Sequence, residues 1–125
     1  MLPALPAFWV GLLYDQDCLD AAWDIVKDWT APERQKLRDD VPKQALKATI
    51  RGRSMLDLAK DCLTLAHAGL KRRDRRDREG RDETLYLETL GDIVRRGYTP
   101  AEELLQKFHG PWRGSVEPIF TEYAY

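Results

Sequence analysis

The amino-acid sequence predicts a mainly α fold, a compact bundle of five or six short helices closed by an irregular, aromatic carboxy-terminal tail. Three observations carry that expectation. Apolar residues recur at spacings of three and four, residues suited to capping a helix start precede several of those runs, and no hairpin signal such as Asn-Gly joins two alternating strands. With 125 residues, 43% of them hydrophobic and 33% charged, the chain is long enough for one helical domain over 1–125 and too short for two.

The opening run, LPALPAFWVGLLY, is the least polar part of the chain. Phe8, Trp9, Val10, Leu12 and Leu13 leave a helix no face to turn to water, so the segment is expected to be buried, either in this domain or against another surface. Two prolines interrupt it, no basic region precedes it, and it falls far short of the ~20 residues of a membrane-spanning helix. From Asp17 the pattern turns amphipathic, with Leu19, Ala22, Trp23, Val26 and Trp29 marking a second helix. Thr30, Pro32 and Glu33 then form a capping box with proline in the first turn. Pro42 is expected to end this third helix near Val41, and residues 42–53 to form an irregular connection.

Ser54 and Asp57 open the most secure helix, in which Met55, Leu58, Ala59, Cys62, Leu65, Ala66 and Leu70 keep one apolar stripe. The run 71–83 interleaves seven basic with five acidic side chains around Gly80, the composition of a solvated helix end or mobile loop. Leu85, Leu87, Leu90, Ile93 and Val94 restore helical spacing up to Gly97, a residue suited to a left-handed close. Thr99, Pro100 and Glu102 repeat the start signal, and Leu104, Leu105 and Phe108 continue it to Gly110. In the tail, Trp112, Phe120, Tyr123 and Tyr125 are expected to pack back on the helices.

Composition narrows the function. With 20 Lys plus Arg against 21 Asp plus Glu, the net charge is -1, which argues against a nucleic-acid binder and against attraction to a membrane surface. Cys18 and Cys62 stand 44 positions apart, with no CxxC pair and no basic or histidine neighbour, so they read as reduced structural thiols. With no targeting segment and no disulfide framework, the cytoplasm is the expected compartment. The eight glycines form neither GxGxxG nor GxxxxGK, and no carboxylates cluster as they do around a nucleotide's magnesium. His67 and His109 stand alone in sequence, and no GxSxG turn exists. Arg51 and Arg53, flanking Gly52, could hold an anionic group.

Several segments resemble a known family. LPALPAFWVGLLYD (2–15), DWTAPER (28–34), DLAKDCLTLAHAGLKRR (57–73), GYTPAEELL (97–105) and GPWRGSVEPIFTEYAY (110–125) are similar to the carboxy-terminal part of glutamate-cysteine ligases of the plant and alphaproteobacterial type. The resemblance covers nearly the whole chain and is loosest over 39–53 and 71–83. Plant members carry a redox-control cysteine where Pro3 stands here, so that form of disulfide switching is not expected from this segment.

The resemblance implies an ATP- and magnesium-dependent reaction that phosphorylates the γ-carboxylate of glutamate and joins it to the amino group of cysteine, giving γ-glutamylcysteine for glutathione synthesis. The family does this on a β-sheet built mostly from sequence upstream of the part matched here. No catalytic, cofactor or metal ligand is therefore assigned to any residue of this chain. The expected partner is the amino-terminal catalytic region, met through Phe8, Trp9, Leu12, Leu13 and Trp112, with Trp9 and Tyr14 near enough the front to reach a substrate pocket. A homo-oligomer through the first helix is a second use of the same surface. The alternative from another class is a freestanding helical protein-interaction module. With its first helix unpartnered, the isolated chain is expected to self-associate or lose order at its beginning.

Overall fold

The computed structural model describes residues 3–124 and contains seven α-helices among them: α1 (Ala4–Leu13), α2 (Gln16–Val26), α3 (Ala31–Gln44), α4 (Met55–Arg73), α5 (Glu88–Arg96), α6 (Pro100–His109) and α7 (Ile119–Glu122). Leu2, the first residue of the family-like opening, and Tyr125, one of the four tail aromatics, lie outside the described residues.

The capping signals position the helices as expected. The Thr30 hydroxyl accepts from the Glu33 amide while the Glu33 carboxylate accepts from the Thr30 amide at 2.7 Å, and Thr99 with Glu102 repeats the arrangement at the start of α6. Ser54 caps α4 by accepting from the Asp57 amide at 3.1 Å. The Asp15 carboxylate caps α2 by accepting from the Cys18 amide at 3.0 Å. Gly97 closes α5 in the left-handed region with φ 75°.

The 19-residue α4 is the spine, with a core on each side of its length. Toward its carboxy-terminal half, Ala66 and Leu70 pack with Ala7 and Leu12 of α1 and with Leu87. Toward its start, Leu58 packs with Leu37 of α3 and with Ala48 and Ile50. α1 crosses α4 at very short range. A Cβ added to Gly11 would stand 2.2 Å from the Ala66 carbonyl oxygen, and one added to Gly69 2.0 Å from that of Gly11. Only the absence of both side chains lets the two backbones touch.

Four expectations are corrected. α3 runs through Pro42 to Gln44. Proline there removes one backbone donor, but Arg38 and Pro42 are both exposed, so water serves the freed carbonyl while Leu37 and Val41 keep their places on the core. The connection 42–53 is not wholly irregular: β1 (Thr49–Ile50) and β2 (Arg53–Ser54) pair antiparallel around Arg51-Gly52. Both central residues have positive φ, 49° and 77°, as in the mirror-image type I′ turn. Arginine is an unusual first residue for it, and its side chain explains how it is held: Nε donates to Glu33 at 2.8 Å and Nη2 to the Asp28 carbonyl.

The charged loop after α4 is built rather than loose. Asp77 accepts from the amides of Glu79 and Arg81, both at 2.9 Å, and Arg76 bridges to Asp82 as in a short antiparallel pair. A 3-10 turn over Glu83–Leu87 then feeds α5. Finally, Trp23 does not join the core: it is 62% exposed, and α2 instead turns Cys18, Ala22 and Ile25 inward. No helix is long and apolar enough to cross a membrane among the described residues.

Candidate functional site

The residues singled out from the sequence for docking fall into three settings. Leu12 is buried on α4, with Phe8 packed against the same core. Trp112 is buried too, inside the tail. Leu12 and Trp112 thus face the chain's own interior, whereas Phe8 is only partly covered. Trp9 and Leu13 stand outward, about half exposed, and Tyr14 is 76% exposed beneath the Arg73 guanidinium at 5.6 Å. Leu5, outside that set, is 60% exposed. Leu5, Trp9 and Leu13 are spaced by four and share one face of α1, so the helix is divided lengthwise: one side lies on α4 and the other presents a bare apolar stripe.

Beside the stripe lies an apolar groove of about 230 Å³. Leu5 and Phe8 form one wall, Ile93 and Val94 of α5 the other, and Ala59 and Leu63 of α4 the floor. The sequence held a signal for it. Leu5, Phe8, Ala59 and Leu63 lie at helical spacing on apolar faces, but which pairs of faces leave space between them depends on packing.

A larger cleft, about 770 Å³, opens farther along the same face of α4, between His67, Lys71, the charged loop and α5. Its cations are already engaged. Lys71 donates to Asp82 at 2.8 Å, Arg76 to Asp74 at 2.8 Å, Arg81 to Asp77 at 2.9 Å, and Arg95 to Asp92. Around the cleft the run 71–83 thus pairs much of its own charge, and an anion entering must compete with carboxylates for every cation named. Arg51 and Arg53 are likewise occupied, by Glu33 and by Asp61, and do not form an anion cradle. Among the described residues no group of three or more His, Cys, Asp or Glu is placed to hold a metal ion.

Two polar clusters join distant parts of the chain. Arg72 donates to both Asp15 oxygens, through Nε at 2.7 Å and Nη2 at 2.5 Å, and Nη2 also approaches the Cys18 sulfur at 3.0 Å. The guanidinium, and after it the Cys18 amide, hold the Asp15 carboxyl well below its ordinary value. Burial, then Asp15, pushes the Cys18 thiol up, and its S–H donates to the Leu65 carbonyl at 3.1 Å. Burial raises the Cys62 thiol as well, so neither cysteine is set up as a thiolate.

The second cluster fastens the tail. The buried Trp112 indole donates to Glu122 at 2.9 Å, Lys107 donates to the other Glu122 oxygen at 2.9 Å, and the Tyr123 hydroxyl donates to Glu103 at 2.9 Å. The Lys107 ammonium lies 4.7 Å from the Tyr123 ring centroid and 5.7 Å from that of Trp112. Glu122, and then Tyr123, hold Lys107 well above its ordinary value. Trp112 and Tyr123 thus pack back on α6 as expected, whereas Phe120 is 76% exposed. That exposure follows from α7, a single turn that can point Tyr123 and Glu122 inward only by sending Phe120 out.

Comparison with known proteins gives this helical scaffold its relatives. A sequence profile described as glutamate-cysteine ligase family 2 (GCS2) matches residues 1–122. The chain is 47% identical over 124 residues to the chloroplastic glutamate–cysteine ligase of Solanum lycopersicum, covering 99% of this chain and 23% of that protein. The Arabidopsis thaliana chloroplastic enzyme gives the same identity and the same coverage, and the A enzyme of Oryza sativa subsp. indica is 43% identical over 99% of this chain and 24% of its own length. The chain spans about a quarter of the length of the curated relatives it matches. These relatives are named chloroplastic, which overturns the expectation of a cytoplasmic compartment. That expectation rested on finding no targeting segment in a stretch that corresponds to a minor share of each relative. On the profile match and the identity across its whole length, the chain belongs to glutamate-cysteine ligase family 2.

Proposed function

We propose that this chain is the carboxy-terminal helical part of a glutamate-cysteine ligase of the plant and alphaproteobacterial type, and that it supports an active site housed elsewhere in the enzyme. The full enzyme would use ATP and magnesium to join the γ-carboxylate of glutamate to cysteine for glutathione synthesis. The carrying observation is the pairing of 99% coverage of this chain with 23% coverage of a relative at 47% identity. The carboxy-terminal position is supported by the ending GPWRGSVEPIFTEYAY, which resembles the family's own terminus.

In this reading the stripe of Leu5, Trp9 and Leu13 meets the catalytic region, and Trp9 and Tyr14 stand at its border with the substrate pocket. No residue of this chain is given a catalytic or metal-binding role. The Asp15–Arg72 pair ties the end of α1 to α4 and so helps hold the helix that presents the stripe. The test uses the Solanum lycopersicum enzyme with its matched 124 residues replaced by this chain. With ATP, magnesium, glutamate and cysteine, the chimera is expected to form γ-glutamylcysteine, and the isolated chain is expected to form none. Product from the isolated chain, or a folded chimera without activity, would refute the reading.

A further inference from the structure

We infer that the groove between α1 and α5 is the seat of a helix contributed by the remaining part of the ligase chain, a deepening that rests on the function proposed above. Its chemistry selects the kind of occupant. The lining, which includes Leu5, Phe8, Ala59, Leu63 and Ile93, is wholly of apolar residues with almost no polar surface, so nothing in it can orient a polar metabolite. At about 230 Å³ it is also smaller than the ~300–1,000 Å³ typical of sites that enclose a small molecule. One or two large apolar side chains are what fit.

The surroundings select a helix. The groove runs between two helices over a third, and its wall at Leu5 continues into the outward stripe at Trp9 and Leu13. An amphipathic helix lying along α1 would set one apolar side chain in the groove over Ala59 and lay the next turns on Trp9 and Leu13, as in helix-in-groove recognition. The source follows from the relatives. About three-quarters of each lies outside the matched part, and that remainder must pack on this domain somewhere. From Ala4 to Leu13, α1 carries no charged side chain and no polar side-chain group except the Trp9 indole N–H, so it is the helix that water serves worst.

Ala59 provides the test. It lies on the groove floor, so Ala59→Phe fills the groove without removing a core side chain. Ala59→Phe is therefore expected to shift the melting temperature of the isolated chain by less than ~2 °C, and to lower that of the active chimera by at least ~5 °C, the scale of overpacking in a domain of this size. Ile93→Glu, which places a charge in the wall, is expected to show the same contrast. Activity of the unmutated chimera reports on the function, and the contrast between backgrounds reports on the groove. An active chimera that tolerates Ala59→Phe, or an isolated chain destabilised as much as the chimera, would overturn the seat while leaving the function intact. Light scattering that finds a stable dimer of the isolated chain, dissociated by Ala59→Phe, would give the groove to a second copy and overturn it as well.

Discussion

Replacing Gly69 by alanine should separate α1 from α4. The added Cβ would stand 2.0 Å from the Gly11 carbonyl oxygen and 2.9 Å from its carbonyl carbon, both backbone atoms that no rotamer change can move aside. Relief requires the helices to part by roughly 1 Å, and a gap of about that size forfeits a quarter to a half of each van der Waals contact along the seam. Overpacking alone costs about 1–3 kcal/mol. Because Ala7, Leu12, Ala66 and Leu70 all lie on this seam, the upper figure applies. At about 4 °C per kcal/mol, the melting temperature should fall by about 12 °C. Gly91→Ala is the internal control: its Cβ would meet nothing within 4 Å, and removing a glycine from the middle of α5 should stabilise by about 0.5–1 kcal/mol. Thermal unfolding followed by far-ultraviolet circular dichroism measures both. A Gly69→Ala chain melting within ~3 °C of the parent would refute the close crossing.

Leu70→Ala, at the least exposed large side chain of the core, should cost about 2–5 kcal/mol, read as a lower denaturation midpoint with unchanged m-value. Lys107→Ala should loosen the tail alone: amide exchange at Gly114 and Tyr123 accelerates while amides of α4 keep their protection, and equal acceleration in both would show that the clasp is not local. Acid should weaken the fold through Asp15, Asp82, Glu33 and Glu122, whose carboxyls all lie below their ordinary values, Glu33 at about 2 through Arg51 and then Thr30. Lowered carboxyl values give stability that is complete above the ordinary values, 3.8 for Asp and 4.5 for Glu, and that is lost as pH falls further. The melting temperature should thus be flat from pH 7 to about 5 and drop below 4, and Arg72→Met should flatten part of that drop; an unaltered acid profile in that variant would remove Asp15 from the account.

Helix starts were legible because their chemistry is local: Thr30 with Glu33, Ser54 with Asp57 and Thr99 with Glu102 each need only three residues of context. The end of α3 was not, because the cost of Pro42 is set against core contacts of Leu37 and Val41 that no local rule contains. The hairpin escaped because Arg51 occupies a turn position that favours asparagine or glycine, and its conformation is supported by Glu33 and Asp28, about twenty positions away. For the candidate site, the apolar character of α1 was plain, yet its division into a seam with α4 and an outward stripe depended on which face Gly11 turned inward. Asp15 and Arg72, 57 positions apart, had no sequence signal at all.

Leu63 lines both the apolar groove and the polar cleft, and His67 and Lys71 continue the cleft one and two turns farther along α4. The two cavities therefore share one stiff axle. At 1.5 Å of rise per residue, the four residues from Ala59 to Leu63 and the eight from Leu63 to Lys71 put the Cα atoms of Ala59 and Lys71 about 18 Å apart along a single helix. Anything seated in the groove would therefore stand at a fixed bearing to the cleft, with Leu63 as the side chain common to both.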